Sequence, residues 1–333
     1  MHRTTAPPGK RGLPGKRSTI GESGPIRERD PIGDKADSMS TPAPTFERFS
    51  LSPSRRRKDR IARGAVVTAT AVALVPLVLI VYYLLSKGLG SWSIKFFTTD
   101  PTGNTFFAAS SIGGIKSAIL GTIEMVALAS AIAVPLGLGV AVWLVEYGKS
   151  SRFAHTVRFF IDVLTGVPSI MFGLFIYIAL IVGTGTSYAA YKGAFALSLL
   201  MLPVVTRAAE VVLLLVPGSL RESALALGAP RWKVIFRIVL PTALPGLLTG
   251  ILLAIARAAG ETAPLLFTAG ATMKTGFNLN GFMNSLPMQI YTDVTSPTTA
   301  VVNRAWGAAL TLVVMILLLN LFARLLARRS NLR

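Results

Sequence analysis

The chain has 333 residues, of which 52% are hydrophobic and only 15% charged, with a mean hydropathy of +0.58. A soluble domain carries roughly 25% charged residues to cover its surface, so much of this surface does not face water. The 34 Lys and Arg against 15 Asp and Glu give a formal charge of +19, and the absence of cysteine excludes disulfides and Cys-ligated zinc or iron–sulfur centres.

Residues 1–62 differ in composition from the rest. They hold eight Pro, six Gly, seven Ser, 14 Lys and Arg, and only two aromatics, Phe46 and Phe49. Such a segment cannot bury enough apolar area to offset its ordering entropy, so the expectation is a disordered basic tail. Its cluster Arg55-Arg56-Arg57-Lys58 suits topology setting, with contact to anionic lipid headgroups as the second reading. The tail has neither a fold motif nor interleaved aromatics for nucleic-acid binding.

A bilayer core of about 30 Å takes roughly 20 apolar residues per helix, and six stretches qualify for an all-α integral membrane protein. The first, Gly64–Leu85, lies in an N-terminal transmembrane segment over 63–86 and carries no charge. Ser117–Val145 holds Glu124, which has no basic partner on its own helix, so it is protonated or paired across helices. Phe159–Gly183 holds Asp162; Pro168 within it predicts a kink or a helix break, and Pro135 before it a kink. Gly193–Pro217 holds Arg207 and Glu210; Thr242–Gly270 holds Arg257 and Glu261; Ala305–Ala323 is again uncharged. A basic C-terminus, 324–333, follows.

Basic flanks stay cytoplasmic. With residue 1 inside, 26 Lys and Arg fall on the cytoplasmic side and six outside, so both termini are expected in the cytoplasm. An ATP-binding Walker loop is missing. The one Gly-Lys-Ser, Gly148-Lys149-Ser150, has Trp143 where the earlier glycine is required.

The loop between the fourth and fifth spans reads Glu222-Ser223-Ala224-Leu225-Ala226-Leu227-Gly228, nine residues, then Ile238-Val239-Leu240-Pro241. Gly228 suits a left-handed helix end and Pro230 the first position of the next helix, giving an interfacial helix–turn–helix. The full spacing resembles the EAA-type loop of ABC importer permeases, with Ser223 in place of the usual Ala. The resemblance runs from about Ile115 to Ala323 and implies a type-1 permease domain over 113–323, five helices plus the N-terminal one. It implies docking of Glu222, Ala224, Gly228, Ile238, Leu240 and Pro241 onto a cytoplasmic ATPase.

Two further strings are similar to phosphate-importer permeases: Leu164-Thr165-Gly166-Val167-Pro168-Ser169-Ile170-Met171-Phe172-Gly173 and Gly260-Glu261-Thr262-Ala263-Pro264-Leu265-Leu266-Phe267. The second resembles the PstA-type subunit. This implies a multi-pass protein of the bacterial plasma membrane that moves inorganic phosphate inward. It also implies a PstC-type permease, a PstB-type ATPase dimer and an extracytoplasmic phosphate-binding protein as partners. No cofactor is expected on this chain, and ATP and magnesium belong on the ATPase.

Ionisable residues in mid-membrane are costly, so they face a bundle interior or a cavity. Arg207 and Glu210 are three residues apart and Arg257 and Glu261 four apart, so each pair shares a helical face. Residue counting puts both arginines about 20 Å from the ends at which their spans enter the membrane, hence at similar depth. Two readings fit: the pairs line the substrate path, or each is a neutral structural ion pair. Gly246, Gly250, Ala254 and Ala258 make a small-residue packing stripe beside Arg257 and Glu261. Gly260 and Pro264 predict a helix break that frees a carbonyl beside Glu261.

The rivals are an ABC permease for another oxyanion and, in a different class, a proton-coupled secondary transporter using Glu124, Glu210 or Glu261. A membrane enzyme fits least. The two histidines, His2 and His155, are far apart in the chain, and no metal or nucleophile motif is present.

Overall fold

The computed structural model describes residues 53–102, 113–148 and 151–330, in two units, 1–63 and 64–333. The expected tail lies outside the described residues as far as residue 52. Residues 53–62 are helical instead: they open α1 (Pro53–Gly88), where Asp59 and Arg63 make an exposed pair one turn apart. No proline or glycine interrupts the sequence from Ser54 to Arg63, so nothing there stops the helix of the first span from extending backwards.

The regular elements of the second unit are all helices among the described residues, with one isolated bridge between Pro101 and Gly113. After α1 come α2 (Ile94–Thr98), α3 (Lys116–Val142), α4 (Arg152–Gly166), α5 (Ser169–Ile176) and α6 (Ala190–Leu214). Then follow α7 (Gly218–Ala226), α8 (Arg231–Val234), α9 (Leu240–Ala259), α10 (Ala263–Leu266), α11 (Leu286–Val294) and α12 (Thr299–Ser330). Wider π-helical turns extend α3 to Gly148 and α5 to Val182, and another joins α8 to α9. Among the described residues five helices are long and apolar enough to cross a membrane, or six if the bent pair α4–α5 counts as one.

That pair corrects the third span. Residue Val167, preceding proline, is pushed into an extended conformation (ψ 131°), and Pro168 is extended too (ψ 137°). The helix therefore breaks, and its halves diverge by 101°, so of the kink and the break that the sequence left open at Pro168 the structure has the break. Pro135 behaves differently, because α3 continues through it.

The fifth span is corrected at both ends. Arg231–Ala259 is one continuous helical run, so the second arm of the loop is the start of the span. At the other end α9 stops at Ala259, and Gly260–Thr262 separate it from α10. Pro264 lies in the first turn of α10, where its missing N–H costs nothing, so the break belongs to Gly260.

Small residues set the central packing. The core joins Ala129 and Ala133 of α3, Ala194, Leu197 and Met201 of α6, and Ala254 and Ala258 of α9. A Cβ on Gly250 would lie 2.7 Å from Ala208 Cβ, and one on Gly246 2.7 Å from Val212 Cγ1, so the stripe on α9 is where α6 crosses closely. With no hydrophobic driving force between apolar helices in lipid, van der Waals contact at such close backbone approach contributes to the attraction. Because 250 faces 208 and 246 faces 212, α6 and α9 are antiparallel.

Candidate functional site

The 218–241 loop is built around one turn. α7 ends with Gly228 at φ +80°, its N–H donating to the Leu225 carbonyl (2.9 Å) and the Ala229 N–H to the Ala224 carbonyl (3.1 Å). This is the left-handed helix end expected of Gly228. Pro230 caps α8 from just outside it, one position earlier than expected. Ala224 is buried against Val234, Val239 and Ala243, which fixes the two arms together. Ile238 and Leu240 are half-buried, whereas Glu222, Gly228 and Pro241 are exposed. Leu225, Leu227, Trp232 and Phe236 are exposed apolar residues of the same loop.

Arg221 holds α7 to the bundle. Its Nε donates to Glu146 (2.9 Å), Nη1 to the Val216 carbonyl (2.7 Å) and Nη2 to the Leu213 carbonyl (2.8 Å). A groove of about 460 Å³ lies beside it, with Glu146, Arg158, Arg221, Glu222 and Arg231 among its walls. Sequence reading missed this anchor, because Glu146 and Arg221 are 75 residues apart and no local spacing links them.

Arg207 and Glu210 do pair, with Nη1 donating at 2.8 Å. They are not an isolated pair. Arg158 of α4 donates from Nε to the other Glu210 oxygen (2.6 Å), and Arg207 Nη2 donates to Asp162 of α4. The order Arg158–Glu210–Arg207–Asp162 alternates in sign and sums to zero, which offsets the desolvation of each member. Arg158 also donates to the Leu144 carbonyl (3.2 Å), bringing in the end of α3. The signal for this ladder was present in the sequence: Arg158 and Asp162 are four residues apart and oppositely charged, as Arg207 and Glu210 are at three.

Arg257 and Glu261 make a looser pair, Nε to Oε1 at 3.7 Å, longer than a hydrogen bond. Arg257 is 51% exposed, whereas Ala254 and Ala258 beside it are buried, so packing face and charged face are distinct as the helical spacing requires. Gly260 and Glu261 close the helix end through N–H bonds to the Arg257 and Ala258 carbonyls. Across from this break, a Cβ on Gly173 would lie 2.6 Å from Pro264 Cα. The two strings carrying Pro168 and Pro264 therefore meet as α5 against α10.

The two arginines are not at one depth. Arg207 precedes Ala208, which faces Gly250 in the antiparallel α6–α9 contact, so Arg207 is level with residue 251. Arg257 is six residues further along α9, about 9 Å towards the opposite end at 1.5 Å per residue. Counting from span ends failed because α9 ends at Ala259, two residues after Arg257.

The end of the bundle opposite the 218–241 loop holds a second polar assembly. α11, a helix absent from the six expected spans, is joined to α12 by Asp293 and Arg304, both 3% exposed and bonded through Nε and Nη2 at 2.7 Å each. Gln289 donates to Asp293 (2.7 Å), Asn284 donates to Gln289 (2.5 Å), and the Leu286 N–H donates to Thr122 of α3 (2.8 Å). Nearby on α3, Glu124 has one buried oxygen, Oε1, with no hydrogen-bond partner among the described residues. Asp100 clasps Thr275 through its N–H (2.8 Å) and hydroxyl. Burial pushes the Asp100 carboxyl up, but these bonds and the Lys116 charge outweigh it and hold the group below the usual aspartate value.

Residues 133–332 match the family described as binding-protein-dependent transport system inner membrane component. Over 297 residues the chain is 43% identical to phosphate transport system permease protein PstA 1 of Mycobacterium tuberculosis, covering 87% of this chain and 95% of the relative. It is 40% identical over 271 residues to phosphate transport system permease protein PstA of Haemophilus influenzae, covering 81% and 94%. A bacterial alginate ABC transporter shares the fold at TM-score 0.58 and 15% identity, over 83% of this chain and 96% of the other. The inward-facing MetNI methionine ABC transporter does so at TM-score 0.55 and 21% identity, over 64% and 94%.

Proposed function

This chain belongs to the binding-protein-dependent transport system inner membrane component family, and from that membership we infer that it is the permease subunit of an ATP-driven phosphate importer. The observation that carries the reading is the 43% identity to a phosphate permease along nearly the whole of both chains. Partners follow from the same reading: a PstC-type permease, a PstB-type ATPase dimer holding ATP and magnesium, and an extracytoplasmic phosphate-binding protein. Both termini and the 218–241 loop are then cytoplasmic, in line with the distribution of basic residues.

On this orientation Arg257 meets the substrate before Arg207. Phosphate carries one to two negative charges near neutral pH, and a bare anion in the bilayer core faces a penalty of several kcal/mol. The half-exposed Arg257 guanidinium offers forked donors to phosphate oxygens. Its loose contact with Glu261 leaves it available and keeps anion binding weak enough for release. Gly260 and Pro168 place helix breaks in the spans that flank this point, as cavity-lining helices in transporters have.

The test is ATP-driven uptake by the complex reconstituted with its partners in liposomes. Phosphate uptake is expected to need both the ATPase and the loaded binding protein, and to resist excess sulfate. Equal competition by sulfate or molybdate would assign another oxyanion. Uptake that survives an inactive ATPase but collapses with an uncoupler would make the chain a secondary transporter.

The loop assignment has its own test. At φ +80° Gly228 has open space around it, so a substitution there acts through backbone strain alone. Gly228→Val should cost about 1–2 kcal/mol at the turn and weaken ATPase retention, with insertion unchanged. Co-purification of the ATPase with the variant measures this, and full retention with normal uptake would remove the docking role.

A further inference from the structure

We propose that Asp162 is a built-in competitor for the substrate: its carboxylate occupies the Arg207 guanidinium until a permeating phosphate displaces it. The inference rests on the phosphate-permease reading and adds a residue to it.

The ladder is asymmetric. Glu210 is 4% exposed and held on both oxygens, by Arg158 and by Arg207 Nη1, so it is locked in place. Asp162 is 57% exposed and its ion pair is with Arg207 Nη2, on a side chain itself 38% exposed. One edge of Arg207 is therefore fixed by a buried carboxylate. The other edge faces an accessible region and is satisfied by a carboxylate, which offers the guanidinium negative charge and acceptor oxygens as an incoming oxyanion does. Exchanging Asp162 for a singly charged phosphate leaves the cluster neutral, which keeps the exchange cheap in a low-dielectric setting.

The element that carries Asp162 is placed to withdraw it. Asp162 is five residues before the Val167–Pro168 break, where α4 and α5 diverge by 101°. Arg158, one turn earlier on α4, lines the same groove as Glu222, Arg221 and Arg231 of the 218–241 loop. A shift of that loop therefore meets α4 at Arg158, the residue that also holds Glu210. Asp162 is thus a positioning residue acting through Arg207. Its chemistry explains why two arginines about 9 Å apart in depth are not equivalent: Arg257 is loosely paired and Arg207 is occupied.

Equilibrium binding of radiolabelled inorganic phosphate to the assembled, nucleotide-free complex tests this, without the binding protein. Asp162→Asn should bind phosphate about two- to fivefold more tightly than wild type, the factor expected for one exposed ion pair. Asp162→Glu should return binding to the wild-type value. Adding Arg207→Gln to Asp162→Asn should cancel the gain. Asp162→Ala serves as the second neutral variant should the amide impair assembly. A purely structural role predicts lower yield of complex with no tightening. Equal phosphate retention in assembled wild type and both neutral variants, including none in any of them, would overturn the proposal. ATP-driven phosphate uptake by wild type, measured on the same preparation, separates that failure from a failure of the phosphate-permease reading.

Discussion

Replacing Arg257 by Gln is expected to lower phosphate uptake about ten- to a hundredfold while the chain stays at its normal level in the membrane. The factor corresponds to losing a charged hydrogen-bonding site worth about 1.5–3 kcal/mol to the passing anion. Abundance should hold because the pair with Glu261 is 3.7 Å long and Arg257 is half-exposed, so little folding energy resides there. Arg257→Lys should keep part of the uptake, since the charge survives but the planar fork does not. The alternative, a structural ion pair, makes a contrary forecast: the double change with Glu261→Gln would restore uptake. Membrane level and initial uptake rate in the single and double variants decide between them, and full uptake in the double variant would sink the substrate-path role of Arg257.

The second large effect is expected at the opposite extreme of burial. Asp293→Asn should destabilise the chain by about 3–5 kcal/mol, because Arg304 would be left charged at 3% exposure with its two-bond partner gone. The loss should spread to Gln289, which donates to the same carboxylate, and loosen α11 from α12. A drop of about 10 °C in thermal midpoint, followed in detergent, is the size this implies. Replacing both partners by apolar residues of similar volume should be milder than either single change, since the main cost is a stranded charge. A single variant as stable as wild type would show that the pair does not hold α11.

These two sites differ in how far local spacing reveals them. Arg257–Glu261 and Arg207–Glu210 were legible because i+3 and i+4 neighbours on a helix must share a face whatever the helix packs against. Gly228 was legible for the same kind of reason: a left-handed helix end is a property of three or four consecutive residues. The small-residue stripe on α9 announced a close helix contact, though not that α6 supplied the other side.

Asp293–Arg304 was illegible. Its partners are separated by a turn and a helix start, and α11 is too short and too polar to register as a span. Arg304 is one of the six basic residues that the charge count puts outside, whereas its guanidinium is among the most buried charges described. The ladder was half legible. Each of its two i,i+3 or i,i+4 couples could be read on its own helix, but only the packing of α4 on α6 turned them into one neutral row.

Sequence by itself determined the membrane class, the number of apolar stretches, the loop turn and which helix faces carry charge, because composition and short-range periodicity act within one element. Tertiary structure decided which charges satisfy one another and how deep each lies. Those outcomes depend on which helix lies alongside which, and on where the backbone of a neighbour removes water. A four-residue spacing can place two groups on one face, but only the opposing helix sets whether that face is a path, a packing seam or a closed ion pair.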